Sequence, residues 1–190
     1  MSRARVGVLI SGRGSNMASL IEAARDPDCA YEIALVVSNV PDAAGLAFAA
    51  MHGIPQFALS HKGMKRAEFD DLVDGALRDA DIEYVALAGY MRLLSPEFVA
   101  KWEGRIVNIH PALLPAYKGI DTHQRVLDAG ETKHGATVHI VTAELDDGPI
   151  LGQVEVPVLP GDDAEALARR VLIEEHKLYP KALADLVRRA

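Results

Sequence analysis

Short apolar runs alternate with amphipathic segments from the start of the chain. Residues 5–10 are apolar enough to predict a buried strand, and residues 16–25 place Met17, Leu20 and Ile21 on one face of a helix. A second strand is expected over residues 33–37 and a second helix over residues 43–52, ended by Gly53. Residues 56–59 read as a third strand. Residues 66–78 read as a third helix, with Phe69, Leu72, Val73 and Leu77 spaced for burial. A fourth strand at 83–88, a short helix near Pro96 and a fifth strand at 105–109 continue the alternation. This order predicts a parallel sheet with right-handed crossovers.

The pattern changes after residue 110. Residues 111–120 carry prolines and a glycine without a long periodic run, which predicts an ordered loop. A helix around residues 122–129 precedes two strands, 136–142 and 150–158. Gly148-Pro149 lies just before the second, so a connection longer than a two-residue hairpin is expected. Residues 163–187 are helical in pattern, interrupted or kinked by Pro180. There is no repeat, low-complexity stretch or linker. The expectation is one α/β domain over residues 1–190, with a Rossmann-like, mostly parallel sheet and helices on both faces.

Composition narrows the function classes. The chain has 190 residues, enough for one sizeable core and short for two large domains. Hydrophobic residues make up 49% and aromatics 5%, which predicts an aliphatic core. A net charge of −7 argues against a broad nucleic-acid-binding face but leaves room for a small anionic substrate. Cys29 is the only cysteine, so no intrachain disulfide can form; its turn-like surroundings predict a passive surface thiol. No stretch approaches the roughly 18 apolar residues of a membrane span. The basic N-terminus runs straight into Val6-Gly7-Val8-Leu9-Ile10, which reads as a strand rather than a signal peptide. A cytoplasmic protein without nucleic-acid or membrane partners is expected. The sequence leaves the oligomeric state open, a homodimer included.

Three segments carry candidate chemistry. Asn108 and His110 stand two apart at the end of the fifth strand and so share a face, and Pro111 stops the strand from continuing. A neutral donor and a titratable donor at a strand's C-terminal end suit an oxyanion whose formation accompanies proton movement. A strand-ending turn with a hydrogen-bonded Asn and a structural His is the plainer alternative. In Glu144-Leu145-Asp146-Asp147-Gly148-Pro149, one of the two aspartates sits in a turn. A carboxylate brought near His110 would orient the ring and favour its charged form. A simple Asp-Gly turn explains the same residues, and spacing alone does not choose. Third, Ser11-Gly12-Arg13-Gly14-Ser15-Asn16 joins the first strand to the first helix, where glycines and helix amides can receive a phosphate. A tight, capped βα turn is the competing explanation. The loop lacks the Gly-Lys-Ser/Thr ending of a Walker A loop and the third glycine of a dinucleotide fingerprint, so a phosphate monoester fits better.

Together these segments resemble the folate-dependent formyltransferases along most of the chain. Asn108-Ile109-His110-Pro111 with Leu113-Leu114-Pro115, Tyr117 and Gly119 is similar to the family's active-site strand and loop. Residues 135–139 with Glu144-Leu145-Asp146 resemble its second signature, and residues 88–95 its folate segment. The loop at residues 10–16 resembles the phosphate loop of the branch acting on glycinamide ribonucleotide. The resemblance implies Asn108, His110 and Asp146 as the catalytic trio. It implies Gly14, Ser15 and Asn16 on the phosphate of glycinamide ribonucleotide, and Glu175 on its ribose. On sequence pattern alone, Glu175 is a solvated acid on a charged helix. The resemblance places Arg66, Met91, Arg92, Leu93, Leu94, Thr142, Ala143, Glu144 and Leu145 around 10-formyltetrahydrofolate, the formyl-donor co-substrate. It calls for no metal and no nucleotide cofactor. Lys118 and Asp121 depart from residues found in relatives, and the C-terminus is shorter than in some of them.

Three other readings compete. Hydrolysis of 10-formyltetrahydrofolate would use the same trio with water as nucleophile. That family's hydrolase usually carries an N-terminal regulatory domain, and here the chain starts at the first strand. A metal-dependent hydrolase could draw on His110, His123, His134 and His139, but no short His/acid ligand motif appears. A catalytically silent nucleotide-binding module would explain the phosphate loop and leave the trio unexplained.

Overall fold

The first five strands run parallel because each is joined to the next through a helical crossover. In the computed structural model, which describes residues 2–190, these are β1 (Ala4–Ile10), β2 (Tyr31–Ser38), β3 (Gln56–Ala58), β4 (Tyr84–Leu87) and β5 (Ile106–His110). The crossovers contain α1 (Ser15–Ala24), α2 (Gly45–Met51), α3 (Arg66–Asp79) and α4 (Pro96–Lys101). After α5 (Thr122–Asp128) come β6 (Lys133–Ile140) and β7 (Ile150–Pro157), both paired antiparallel, and then α6 (Ala164–Arg188). The sheet order is β3-β2-β1-β4-β5-β6-β7. Strand order therefore reverses between β1 and β4, where α/β sheets open a ligand crevice.

Alternation along each strand separates two cores. Val6, Val8 and Ile10 of β1, with Val107 and Ile109 of β5 and Val138 and Ile140 of β6, pack beneath α1, α2, α5 and α6. Leu9, Leu35, Val37, Val85, Leu87 and Ile106 face the other way, under α3 and α4. Asp74 ties those two helices together. Trp102 Nε1 donates to it at 2.8 Å, and Arg78 Nε and Lys101 Nζ donate at 3.1 and 3.3 Å. Burial would raise the Asp74 carboxyl, but these three donors hold it below its ordinary range.

The helical cover ends at α4, and loops rather than helices cover the side of the sheet that carries the polar residues. Asn108 pairs with His139 and His110 with Thr137 across β5 and β6. Paired residues share a face, so these four side chains stand together opposite the apolar Val107, Ile109, Val138 and Ile140.

Several boundaries differ from the sequence pattern. β6 starts at Lys133 and ends at Ile140, so Thr142 belongs to the following loop; Lys133 and His134 pair with Pro157 and Val156 despite their polarity. α6 runs through Pro180 without interruption. The missing proline N–H removes one bond to the carbonyl four residues back, while neighbouring Tyr179, Ala182 and Leu183 are buried in the core. Cys29 is half-buried against that core rather than a surface thiol. No helix among the described residues is long and apolar enough to cross a membrane.

Candidate active site

His110 ends β5 almost fully buried, and both ring nitrogens have partners. Nε2 lies 2.8 Å from the Tyr117 carbonyl oxygen and donates to it, which fixes the ring plane. Nδ1 lies 3.4 Å from Asp146 Oδ2, a looser contact. The doubly donating, protonated ring is the form that satisfies both oxygens. The same Asp146 oxygen accepts the Gly119 backbone N–H at 2.9 Å. Residues 111–121 thus hold both members of the pair through main-chain groups, Tyr117 on the histidine and Gly119 on the aspartate. Thr137 steadies the loop from β6: its hydroxyl donates to Ala112 O at 2.7 Å and accepts from Leu114 N at 3.1 Å.

Asp146 reaches this position because its loop folds back over the sheet. Val141 N donates to Ile106 O, and Ile140 N donates to Pro149 O. Gly148 passes so close to Ile140 that a Cβ there would sit 1.7 Å from the Ile140 carbonyl oxygen. Asp-Gly is therefore a contact requirement here as well as turn chemistry. Spacing left the choice between the two acids open and the resemblance named Asp146; burial separates them. The Asp146 side chain is 8% exposed, whereas that of Asp147 is 53% exposed and pairs with Lys118. Asp146→Asn should lower kcat at neutral pH at least about tenfold, and Asp147→Asn should leave it within about twofold. Steady-state kinetics on both variants check this, and equal losses would reject the assignment.

The sequence offered His139 as a strand residue and as one of four candidate metal ligands; the structure places it beside Asn108 and Asp146 instead. Its Nδ1 lies 3.0 Å from Ile140 O, while Nε2 lies 3.5 Å from Asn108 Nδ2 and 3.8 Å from Asp146 Oδ1. Burial lowers its pKa, opposed by the Ile140 carbonyl and by Asp146. A neutral ring that donates from Nδ1 and accepts the Asn108 amide at Nε2 fits these contacts. The signal was period-two alternation, which puts His139 on the face of Thr137 and opposite Asn108. His123 and His134 bond to each other instead, Nδ1 to Nε2 at 2.9 Å. Burial, and then nearby His123 and His110, lowers the pKa of His134 to about 4.

Asn108, His139 and Asp146 open onto a cleft of about 570 Å³. All nine residues expected at the folate line it: Arg66 at the start of α3, residues 91–94 after β4, and residues 142–145 after β6. Met91, Leu93, Ile120 and Leu145, four of the most exposed large apolar side chains, also line it. Arg92 brings a buried Nε with no protein partner. Such a lining suits a flat apolar ring system with an acidic tail. A smaller hollow of about 260 Å³ beside Ile21, Glu32 and His52 contains none of the expected site residues.

The loop after β1, expected at a phosphate, lies outside that cleft. Gly14 caps α1 in the left-handed conformation, φ 68°, with no side-chain cap, so the first amides of the helix remain open to an anion. Asn16 keeps a buried Oδ1 without a partner. Glu175, on α6, is buried rather than solvated. Burial pushes its carboxyl up to about 7, against a hydrogen bond from Asn16. Thus Asn16 and Glu175 meet where α1 packs on α6. Because the folded-state value is raised, the ionised form destabilises the fold. The penalty is absent below the ordinary carboxylate range and is complete once pH rises past the folded value. Glu175→Gln should be more stable than wild type at pH 8, by up to about 3 kcal/mol, and should match it at pH 4. Urea midpoints at the two pH values test this, and an unchanged difference between them would refute it.

Residues 4–183 match the family described as formyl transferase. The trifunctional purine biosynthetic protein adenosine-3 of Bos taurus is 48% identical over 182 residues, 95% of this chain but 18% of that protein. The chain therefore spans about a fifth of the length of such trifunctional relatives. The phosphoribosylglycinamide formyltransferase of Haemophilus influenzae is 41% identical over 177 residues, 93% of this chain and 84% of that one. The crystal structure of phosphoribosylglycinamide formyltransferase from Brucella melitensis superposes with a TM-score of 0.94 at 50% identity, covering 98% of this chain and 96% of that one.

Proposed function

The chain belongs to the formyl transferase family, and on that premise we propose that it transfers a formyl group from 10-formyltetrahydrofolate to the amine of glycinamide ribonucleotide, a step of purine biosynthesis. The observation that carries the proposal is the buried His110–Asp146 pair beside a cleft bounded by Asn108 and the expected folate residues. Gly14, Ser15 and Asn16 would receive the substrate phosphate and Glu175 the ribose. Arg66 and residues 91–94 and 142–145 would hold the folate.

In this scheme the neutral amine attacks the formyl carbon, and negative charge develops on the formyl oxygen. The Asn108 amide and the His110 Nδ1–H donate to that oxygen. Nδ1 is the available nitrogen, because Nε2 is committed to Tyr117 while the 3.4 Å contact to Asp146 leaves room for competition. Asp146 holds the ring charged and oriented. Collapse breaks the bond from carbon to the folate N10. The proton lost by the amine is passed along the His110–Asp146 pair to that nitrogen, which balances the reaction. The donor is already activated, so the scheme calls for neither a metal nor ATP.

Incubation with 10-formyltetrahydrofolate, with and without glycinamide ribonucleotide, tests the proposal. Formylated ribonucleotide and tetrahydrofolate should appear together and only with both substrates present. Formate released at the same rate without the amine would instead make water the acceptor.

A further inference from the structure

Ser11 touches both halves of the site. It directly follows β1 and begins the phosphate loop, and its hydroxyl donates to Asn39 Oδ1 at 2.6 Å. The same oxygen accepts the backbone N–H of Met91 at 2.8 Å, eighty residues away on the folate side. Met91 makes this contact with its main chain, so its exposed side chain remains free for the cleft.

A second branch from Ser11 returns to the same folate segment. Asn39 is 3% exposed, and His61 Nδ1 lies 3.2 Å from its amide nitrogen and 3.1 Å from its main-chain oxygen. The His61 ring meets Phe69 edge-on, with centroids 6.2 Å apart. Over Phe69 sits the Arg92 guanidinium, 4.9 Å from the ring centroid. One branch thus ends on the Met91 backbone and the other on the Arg92 side chain. The first joins the ends of β1 and β4, where strand order reverses, and the second runs round by the ends of β2 and β3 and through α3.

We propose that the Ser11 hydroxyl is a positioning residue that couples the two substrate sites, so that filling the phosphate loop raises affinity for the folate and the reverse. The inference rests on the formyl-transfer reading, which supplies the two ligands. An anion that orders the loop fixes Ser11, and Ser11 fixes the Met91 amide at the wall of the cleft. Removing the hydroxyl frees Met91 and leaves a buried Asn39 oxygen unpaired. By linkage, the factor by which each ligand helps the other must be the same.

Calorimetry with glycinamide ribonucleotide and tetrahydrofolate, a pair that cannot react, measures each affinity alone and in the presence of the other. Wild type should show a reciprocal factor of about five- to tenfold. In Ser11→Ala the factor should fall below about twofold, and Ser11→Thr should restore it. Full coupling in Ser11→Ala, or no coupling in a wild type that binds both ligands, overturns the inference and leaves the formyl-transfer reading standing. Loss of both single affinities in Ser11→Ala also overturns it, because Ser11 would then support the fold in general. A Ser11→Thr variant that behaves like Ser11→Ala removes the hydroxyl from the argument. A wild type that binds neither ligand overturns the formyl-transfer reading and this inference together.

Discussion

His110→Ala should lower kcat by about 10²-fold or more while the KM values of both substrates move little. The ring lies almost fully buried at the end of β5 with Nε2 committed to the Tyr117 carbonyl, which limits its part in ground-state binding. Its proposed work is confined to the transition state, where charge appears on the formyl oxygen and a proton must move. Alanine removes the donor and also leaves Asp146 with the Gly119 N–H and a distant His139. Asn108→Ala should act the same way but less strongly, since the neutral amide lacks the charged ring's pull. Steady-state kinetics with each substrate varied separates kcat from KM. An unchanged kcat in His110→Ala would end this mechanism.

Gly14→Val should raise KM for glycinamide ribonucleotide on the order of 10²-fold and leave tetrahydrofolate binding nearly intact. Two physical effects act together. Gly14 holds φ at +68°, a conformation that a β-branched residue strongly resists. A Cβ there would also approach Met17 Cε to 3.0 Å and the Gly45 Cα to 3.4 Å. Gly45 is itself pinned, its N–H donating to Gly12 O at 3.0 Å, so the loop cannot easily shift toward α2. The substitution therefore distorts the backbone that should meet the phosphate. The cleft proposed for the folate is built from other segments and should survive. Calorimetry on the folded variant measures the two ligands separately. Equal loss of both would mean general damage, and loss of the folate alone would move the phosphate site elsewhere.

Within the parallel half, β1, β2 and β4 were legible because they are largely buried on both faces and read as apolar runs. The antiparallel end was less so. β6 begins with a lysine and a buried histidine, which hide the strand's true start. The helix around Pro180 survives for a reason the local sequence cannot display, since its support comes from packing against distant strands. Asn108 and His110 could be placed on one face from spacing alone, whereas spacing could not separate Asp146 from Asp147; the resemblance named Asp146, and the folded loop buries it beside His110. Glu175 shows a signal present but unread. It lies four residues from both Val171 and Tyr179, within the same buried stripe of α6. Charge suggested solvent there; the helical period pointed inward.

The loop after β6 also determines how this site can diversify. Its two ends are clamped, one by the Val141–Ile106 bond and the other by the Ile140 N–H donating to the Pro149 carbonyl, with Gly148 pressed against the Ile140 carbonyl. An inserted or deleted residue would displace Asp146 from His110 before it changed the cleft wall. Thr142, Ala143, Glu144 and Leu145 face the cleft inside that fixed span, so their side chains can change while the spacing holds. A lineage exploring new folate tails or resisting an antifolate would have substitutions open to it along this wall, with length variation closed off.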